Sequence, residues 1–156
     1  MRKLILLLAL AGPVFWMGCG GGTADSDATA TDSTKLEEEA WDKMMEVHDA
    51  VMPKMAEMNR VSRELKALSE GTDDKAQLER INNAVENLES ASEGMMAWMG
   101  ELQQPKKLRA EKSHEEIMAY FREETEEITE VKEQMLNSLE QGQALLQELQ
   151  SETTAE

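Results

Sequence analysis

Large apolar side chains recur every three or four residues along three successive segments of the chain, at residues 35–69, 74–103 and 113–150. A spacing close to 3.5 residues places such side chains on one face of a helix. Alternating strand patterns are lacking, and β-branched and aromatic residues are few. The connections between the segments are short, which favours helices that pack back on one another. The sequence therefore predicts an all-α fold, an antiparallel, coiled-coil-like three-helix bundle over residues 35–151.

The predicted core consists of the residues at these repeating positions. They are Trp41, Met44, His48, Val51, Met55, Met58 and Leu65 in the first segment, Leu78, Ile81, Val85, Leu88, Met95, Met99 and Leu102 in the second, and Ile117, Phe121, Ile128, Val131, Met135, Leu139, Leu145, Leu146 and Leu149 in the third. Single helices of this kind are marginal in water, so the fold depends on burying the three faces together. Ser138 and Gly142 thin the third face, which predicts loose packing near its end.

Helix ends are indicated by residues that favour caps. Thr34 with Glu37, and Ser113 with Glu116, have the spacing of a capping box, in which each residue satisfies a backbone donor of the other. Asp74, after the turn sequence that contains Gly71, is placed as an N-cap. These residues predict where the three helices begin.

Two prolines interrupt the helical pattern. Pro53 lies inside the first segment, where it removes a backbone donor at a cost of about 3 kcal/mol. It predicts a kink there, or a break into helices at 35–51 and 54–69. Pro105, followed by Lys106, Lys107 and Arg109, predicts a loop between the second and third segments.

The first 18 residues have the features of a secretory signal peptide. Arg2 and Lys3 precede an apolar run that is too short to span a membrane. Gly18 and Cys19 follow, and this ending resembles the bacterial lipoprotein signal, in which cleavage precedes a cysteine that is then lipidated. We predict a signal peptide at residues 1–18 and a lipidated Cys19. The alternative is ordinary cleavage after a small residue, which would leave Cys19 as a free or oxidised thiol.

Residues 20–34 contain only Gly, Ala, Ser, Thr and Asp, which predicts a flexible linker between the lipid and the bundle. Two or more acyl chains on Cys19 would hold the protein stably on a membrane. Gly20 stands where enteric-type lipoproteins kept at the inner membrane have Asp. We therefore expect a lipid-anchored cell-envelope protein at the outer membrane, on its periplasmic or its surface face. Cys19 is the only cysteine, which excludes a disulfide framework and a thiolate metal site.

The chain is strongly acidic, and this charge narrows its possible partners. The segment before Cys19 carries two of the 16 basic residues and none of the 32 acidic ones, which leaves a formal charge of −18 on the rest. Nucleic acid is excluded as a partner, because phosphate binding needs clustered Lys and Arg. The charge also argues against a protein that lies flat on anionic lipid. Solubility in the envelope explains it.

Methionine and histidine are concentrated at residues 41–55 and 95–99. Folding the second segment back on the first predicts that His48 faces Met95, and that both His48 and His114 lie at the same end of the bundle. His48 is four residues from Met44 and from Met52, so these three share one helix face. The sequence therefore predicts a cluster of imidazole and thioether groups at one end.

Three interpretations of this cluster remain open. Methionine at core spacing commonly fills irregular gaps, and a histidine on the same face is commonly hydrogen-bonded to a neighbour. The cluster is also a soft ligand set that suits Cu(I) or Ag(I), with the candidate ligands His48, Met44, Met52, Met95 and Met99. A tryptophan beside such a site would add a cation–π contact. Finally, Met96 and Trp98 are predicted to point away from the core and, with Trp41, to bind an envelope protein partner.

The residues quoted above resemble a known family. HDAVMPKM at residues 48–55, MMAWM at 95–99 and the sequence from Ser113 to Met135 are similar to small helical lipoproteins of Bacteroidota-type bacteria, often labelled "viral A-type inclusion protein". The resemblance covers residues 41 to about 146. It implies a lipid-anchored envelope protein and brings no catalytic residue, substrate or cofactor.

The sequence has no motif that indicates an enzyme. It contains no nucleophile motif, no Gly-rich phosphate loop and no histidine and carboxylate set at zinc spacing. We therefore predict a non-enzymatic protein without a cofactor, with a structural or partner-binding role. The alternative is a copper-binding or copper-buffering protein.

Overall fold

A computed structural model describes residues 24–154, and their side chains from residue 31 to residue 152. The described chain forms five helices and no strand: α1 (Ala24–Val51), α2 (Lys54–Ser69), α3 (Lys75–Glu101), α4 (Pro105–Glu111) and α5 (His114–Thr154). The predicted all-α class is confirmed. The predicted signal peptide and Cys19 lie outside the described residues. None of these five helices is both long enough and apolar enough to cross a membrane.

The long helices pack side by side around one core, and the contacts between them show in which direction each helix runs. Glu57 of α2 accepts a hydrogen bond from Gln143 of α5 at 2.6 Å, and Glu37 of α1 contacts His114 at the start of α5. The first helical arm, α1 with α2, therefore runs parallel to α5. Arg80, near the start of α3, binds Glu148, near the end of α5, at 2.6 Å, so α3 runs the opposite way.

The core consists of the apolar faces that the spacing predicts. Its fully buried side chains include Met44, Met58, Leu65, Ile81, Leu88, Met95, Ile117, Phe121, Ile128, Met135 and Leu149. Each buried face includes more positions than the two of a strict heptad seam, because a helix with 3.6 residues per turn buries a broader stripe. Burial of these faces, rather than helix propensity alone, holds such helices in place.

Pro53 divides the first helical arm, as the sequence predicts. α1 ends at Val51 and α2 begins at Lys54. Pro53 keeps helical backbone angles, with φ −60° and ψ −21°. The Met52 N–H still donates to the His48 carbonyl at 2.9 Å, but Pro53 has no N–H to offer to Asp49. The break therefore falls one turn after His48.

Helix starts agree with the sequence at two of the three predicted caps. Asp74 accepts hydrogen bonds from the N–H groups of Ala76 and Gln77, and Ser113 and Glu116 form a reciprocal capping box. The predicted box of Thr34 with Glu37 is wrong. α1 begins at Ala24, within the segment predicted as a linker. Once a helix has formed, each added residue needs only propagation, so small polar residues can extend it.

The predicted loop at Pro105 is instead the short helix α4. Pro105 is its first helical residue, where the missing N–H costs nothing and the fixed φ suits a helix. Leu108 is fully buried and holds α4 on the bundle. Proline breaks the interior of a helix but suits its first residue, so Pro105 is compatible with a loop and with a helix start.

Packing around Gly142 is tight, which contradicts the predicted loose end of the third face. A Cβ atom at Gly142 would lie 2.9 Å from Leu88 Cδ1 and 3.1 Å from Val61 Cγ1. The absence of a side chain lets α5 approach α2 and α3 closely, so the neighbouring residues fill the space that a side chain would have occupied.

Candidate functional site

His48 meets α3 one turn away from the predicted position. Its Nε2 atom lies 3.2 Å from the sulfur of Met99, whereas the sequence predicts Met95 as the facing residue. The turn occupies residues 70–74, one residue more than the predicted 70–73, which accounts for only part of this four-residue shift. Met99 remains one of the predicted ligands, and it is the one that contacts the imidazole.

Both nitrogens of His48 have a contact. Nε2 faces Met99, and Nδ1 lies 2.8 Å from Oδ1 of Asp49. The His48 side chain is 12 % exposed, whereas that of Asp49 is 74 % exposed. The imidazole therefore lies at the edge of the core, with one nitrogen turned toward solvent and the other toward a thioether.

A neutral imidazole cannot satisfy both contacts with hydrogen bonds. It carries a single N–H, and both Asp49 Oδ1 and Met99 Sδ are acceptors. If Nδ1 donates to Asp49, the lone pair of Nε2 faces the lone pairs of the sulfur. In this tautomer both atoms can donate electron pairs to a bound cation, whereas in the other tautomer the Nε2 N–H donates to the sulfur.

Trp98 is buried, which corrects its prediction as an exposed docking residue. Its side chain is 2 % exposed, and its ring centroid lies 5.8 Å from that of His48 at an interplanar angle of 32°. A strict seven-residue repeat puts Met99 in the core and Trp98 outside it. In the structure the buried stripe of α3 instead follows Ala91, Met95 and Trp98, which are three or four residues apart, so Trp98 shares the face of Met95.

The other predicted ligands do not join the contact. Met44 and Met95 are fully buried in the core, and Met52 is partly buried against it. In residues 24–154, Met99 supplies the only sulfur in hydrogen-bonding contact with His48. Met44 and Met95 are therefore core residues. His48 and Met99 are the two candidate ligands that contact each other.

The His48–Met99 pair lies beside the C-terminal ends of two helices. His48 lies in the last turn of α1, and Trp98 and Met99 lie in the last turn of α3. The C-terminal end of a helix carries a partial negative charge from its free carbonyl groups, which favours cations near it. The location therefore stabilises positive charge at the His48–Met99 contact.

The other two predicted docking residues, Trp41 and Met96, do not form one exposed surface. Trp41 is partly buried and meets Phe121 edge to face, with ring centroids 5.8 Å apart. Met96 is 56 % exposed. With Trp98 buried and Trp41 packed on α5, Met96 is the exposed member of the predicted surface.

His114 does not join His48. Its Nδ1 lies 2.9 Å from Oε1 of Glu37, which is roughly 16 Å along α1 from His48 at 1.5 Å per residue. Oε2 of Glu37 accepts a hydrogen bond of 2.7 Å from Arg109 Nε of α4. Glu37 is 4 % exposed, and these hydrogen bonds and charges outweigh burial and lower its pKa. Helical spacing does not reveal this group, because Arg109 lies 72 residues from Glu37 in sequence.

A second polar group lies behind Trp98. Burial raises the pKa of Glu124 on α5, whose carboxyl group lies near Tyr120 and Trp98. The indole Nε1 atom is fully buried, and no group in the described part of the chain forms a hydrogen bond with it. Burial also raises the pKa of Tyr120 to about 12, and its hydroxyl oxygen accepts a hydrogen bond of 2.9 Å from Gln103 N. Trp98 thus lies beside polar groups of α5.

Comparison with known proteins identifies no relative. No family model, curated protein or solved structure matches this chain. Within residues 24–154, no group of three or more His, Cys, Asp or Glu side chains is arranged to hold a metal ion. The site is therefore described by its own geometry, which joins one imidazole, one thioether and one indole ring.

Proposed function

We propose that this chain is a non-enzymatic cell-envelope protein, anchored at the outer membrane through lipidated Cys19, that binds a soft cation such as Cu(I) at His48 and Met99. The sequence supports the anchor, because a basic start and an apolar run precede the single cysteine. The packed part of the chain, an up-down-up bundle of three helical arms, carries the binding site.

The observation that carries the metal function is the 3.2 Å contact between His48 Nε2 and Met99 Sδ. When Nδ1 carries the ring N–H, the Nε2 lone pair and the thioether sulfur face each other and can bind one cation together. The hydrogen bond of Nδ1 to Asp49 directs the Nε2 lone pair toward the sulfur, as a carboxylate does for a metal-bound histidine. An imidazole with a thioether is a soft donor pair, which favours Cu(I).

The 3.2 Å distance fixes the angle at which a cation could bind both atoms. With bonds of about 2.0 Å to nitrogen and about 2.3 Å to sulfur, a cation that touches both atoms would subtend an angle of roughly 95°. This angle is far from the linear arrangement of a two-ligand site. The remaining part of the coordination sphere therefore stays open to another group.

The test is a titration of Cu(I), under reducing conditions and against a coloured chelator, into the full chain with Cys19→Ala, so that no thiol competes. We expect one cation per chain and binding tighter than micromolar. His48→Ala should weaken binding at least tenfold, equivalent to about 1.4 kcal/mol, and Met99→Leu should also weaken it.

Two matched variants test whether Cu(I) binds at His48 and Met99 or at any methionine or histidine of the chain. Met96→Leu changes an exposed methionine of the same helix, and His114→Gln changes the other histidine. Both should bind Cu(I) like the parent. Binding that is micromolar or weaker, and that His48→Ala does not change, would eliminate the metal function.

A protein partner is the second candidate, and exposed Met96 is the observation that favours it. A flexible thioether adapts to varied apolar surfaces. In this case Met96→Glu should remove a crosslinked species from cells while the helical content stays unchanged. Unchanged crosslinking would leave this surface without a partner.

A further inference from the structure

The Trp98 ring lies beside the His48 imidazole of the proposed cation site. The two ring centroids are 5.8 Å apart, and the ring planes are inclined by 32°. An indole face within about 6 Å attracts a cation through its quadrupole, and burial strengthens this attraction. The open side of the proposed site can therefore be occupied by a ring rather than by a further ligand atom.

Packing against neighbouring helices fixes the position of the Trp98 ring. The side chain is buried and lies near Glu124 of α5. The ring is therefore held among packed neighbours, with its plane inclined by 32° to the imidazole plane. A fixed face needs no reorganisation on binding, in contrast to the flexible Met99 side chain.

We infer that Trp98 is a specificity-determining residue, whose ring supplies a cation–π contact that selects a monovalent d¹⁰ cation, Cu(I) or Ag(I), at His48 and Met99; this inference rests on the proposed function. Imidazole, thioether and indole are all uncharged. A half-buried set of neutral donors offsets the desolvation of one positive charge more readily than that of two. Divalent ions such as Zn²⁺ also prefer four nitrogen, sulfur or carboxylate ligands.

Ag(I) is a suitable probe, because it shares the charge and softness of Cu(I) without redox chemistry. The test uses the full chain with Cys19→Ala, Trp16→Phe and Trp41→Phe, in which Trp98 is the only tryptophan. We expect Ag(I) to change the Trp98 emission with saturation at one equivalent. Zn²⁺ at the same concentration should leave the emission unchanged.

A matched variant retains Trp41 and carries Trp98→Phe. Trp41 lies roughly 10 Å along α1 from His48 at 1.5 Å per residue, so its emission should not follow Ag(I) binding. The affinity gives the second measurement. Trp98→Leu should weaken Ag(I) binding about five- to thirtyfold, the range of a cation–π contact, and Trp98→Phe should weaken it less.

The outcomes distinguish this inference from the proposed function. If Ag(I) binds the parent and Trp98→Leu binds it equally well, the role of Trp98 is overturned and the site of His48 and Met99 stands. If the parent binds neither Ag(I) nor Cu(I), both proposals are overturned. If Trp98→Leu does not fold, the emission of the parent and the affinity of Trp98→Phe decide, and unchanged values for both overturn the inference.

Discussion

Arg109 of α4 donates a 2.7 Å hydrogen bond to the buried carboxylate of Glu37, and so ties the short helix to α1. The same carboxylate contacts His114 at the start of α5. Side chains from α1, α4 and α5 therefore meet at one acidic side chain that is 4 % exposed. Removal of one partner would leave a buried charge with incomplete compensation.

Arg109→Gln should lower the free energy of unfolding by about 2–3 kcal/mol, because Glu37 would lose its main charged donor while remaining buried. Urea denaturation measures this change. The matched control is Arg80→Gln, which removes an ion pair to Glu148 whose partners are both half exposed. Its effect should be much smaller, since exposed pairs contribute little. Equal effects of the two substitutions would contradict the special role of Glu37.

Acid should weaken the same connection. The hydrogen bonds and charges of Arg109 and His114 hold the pKa of Glu37 below its ordinary value of 4.5, despite the opposing effect of burial. A lowered folded-state pKa contributes stability above pH 4.5, and this stability is lost as the pH falls through the folded-state pKa. The stability difference between the parent and Glu37→Gln should therefore shrink as the pH falls below 4.5. A difference that stays constant down to pH 2 would contradict the assignment.

The buried faces of the helices were predictable from sequence, whereas their register was not. Met44, Leu88 and Met135 follow from helical periodicity, which each segment carries by itself. The pairing of His48 with Met99 depends on how many residues the turn uses, and a shift of one turn leaves the apolar pattern almost equally satisfied. Spacing therefore identified both residues as candidates and assigned the wrong partner.

Trp98 and Glu37 show a different limit. The buried position of Trp98, three residues after Met95, fits the helical repeat as well as that of Met99, four residues after it, so spacing alone could not choose between them. Glu37 has the spacing of a capping residue, and its real partner, Arg109, is on a helix that the sequence interpretation treated as a loop. The spacing of residues within one helix cannot reveal contacts between side chains of different helices.

The glycines of α3 and α5 should respond in opposite ways to alanine. Nothing lies within 4 Å of a Cβ atom at Gly94, so Gly94→Ala should stabilise the protein by about 0.5–1 kcal/mol through helix propensity. At Gly142 the new methyl group would lie 2.9 Å from Leu88, and overpacking costs about 1–3 kcal/mol. Gly142→Ala should therefore be neutral to destabilising in urea denaturation. Similar stabilisation by both substitutions would contradict the close packing of α5.

Pro53→Ala tests whether the break in the first arm is needed for packing. The backbone angles at Pro53 already suit a helix, so alanine fits there and restores an N–H donor to the carbonyl of Asp49. The unfolded chain gains freedom worth about 0.4–1 kcal/mol, which offsets part of this benefit. We expect a net gain of about 1 kcal/mol in urea denaturation and a small rise in helical circular dichroism. A loss of stability would instead mean that the core around Val51 and Met58 requires the bend that proline imposes.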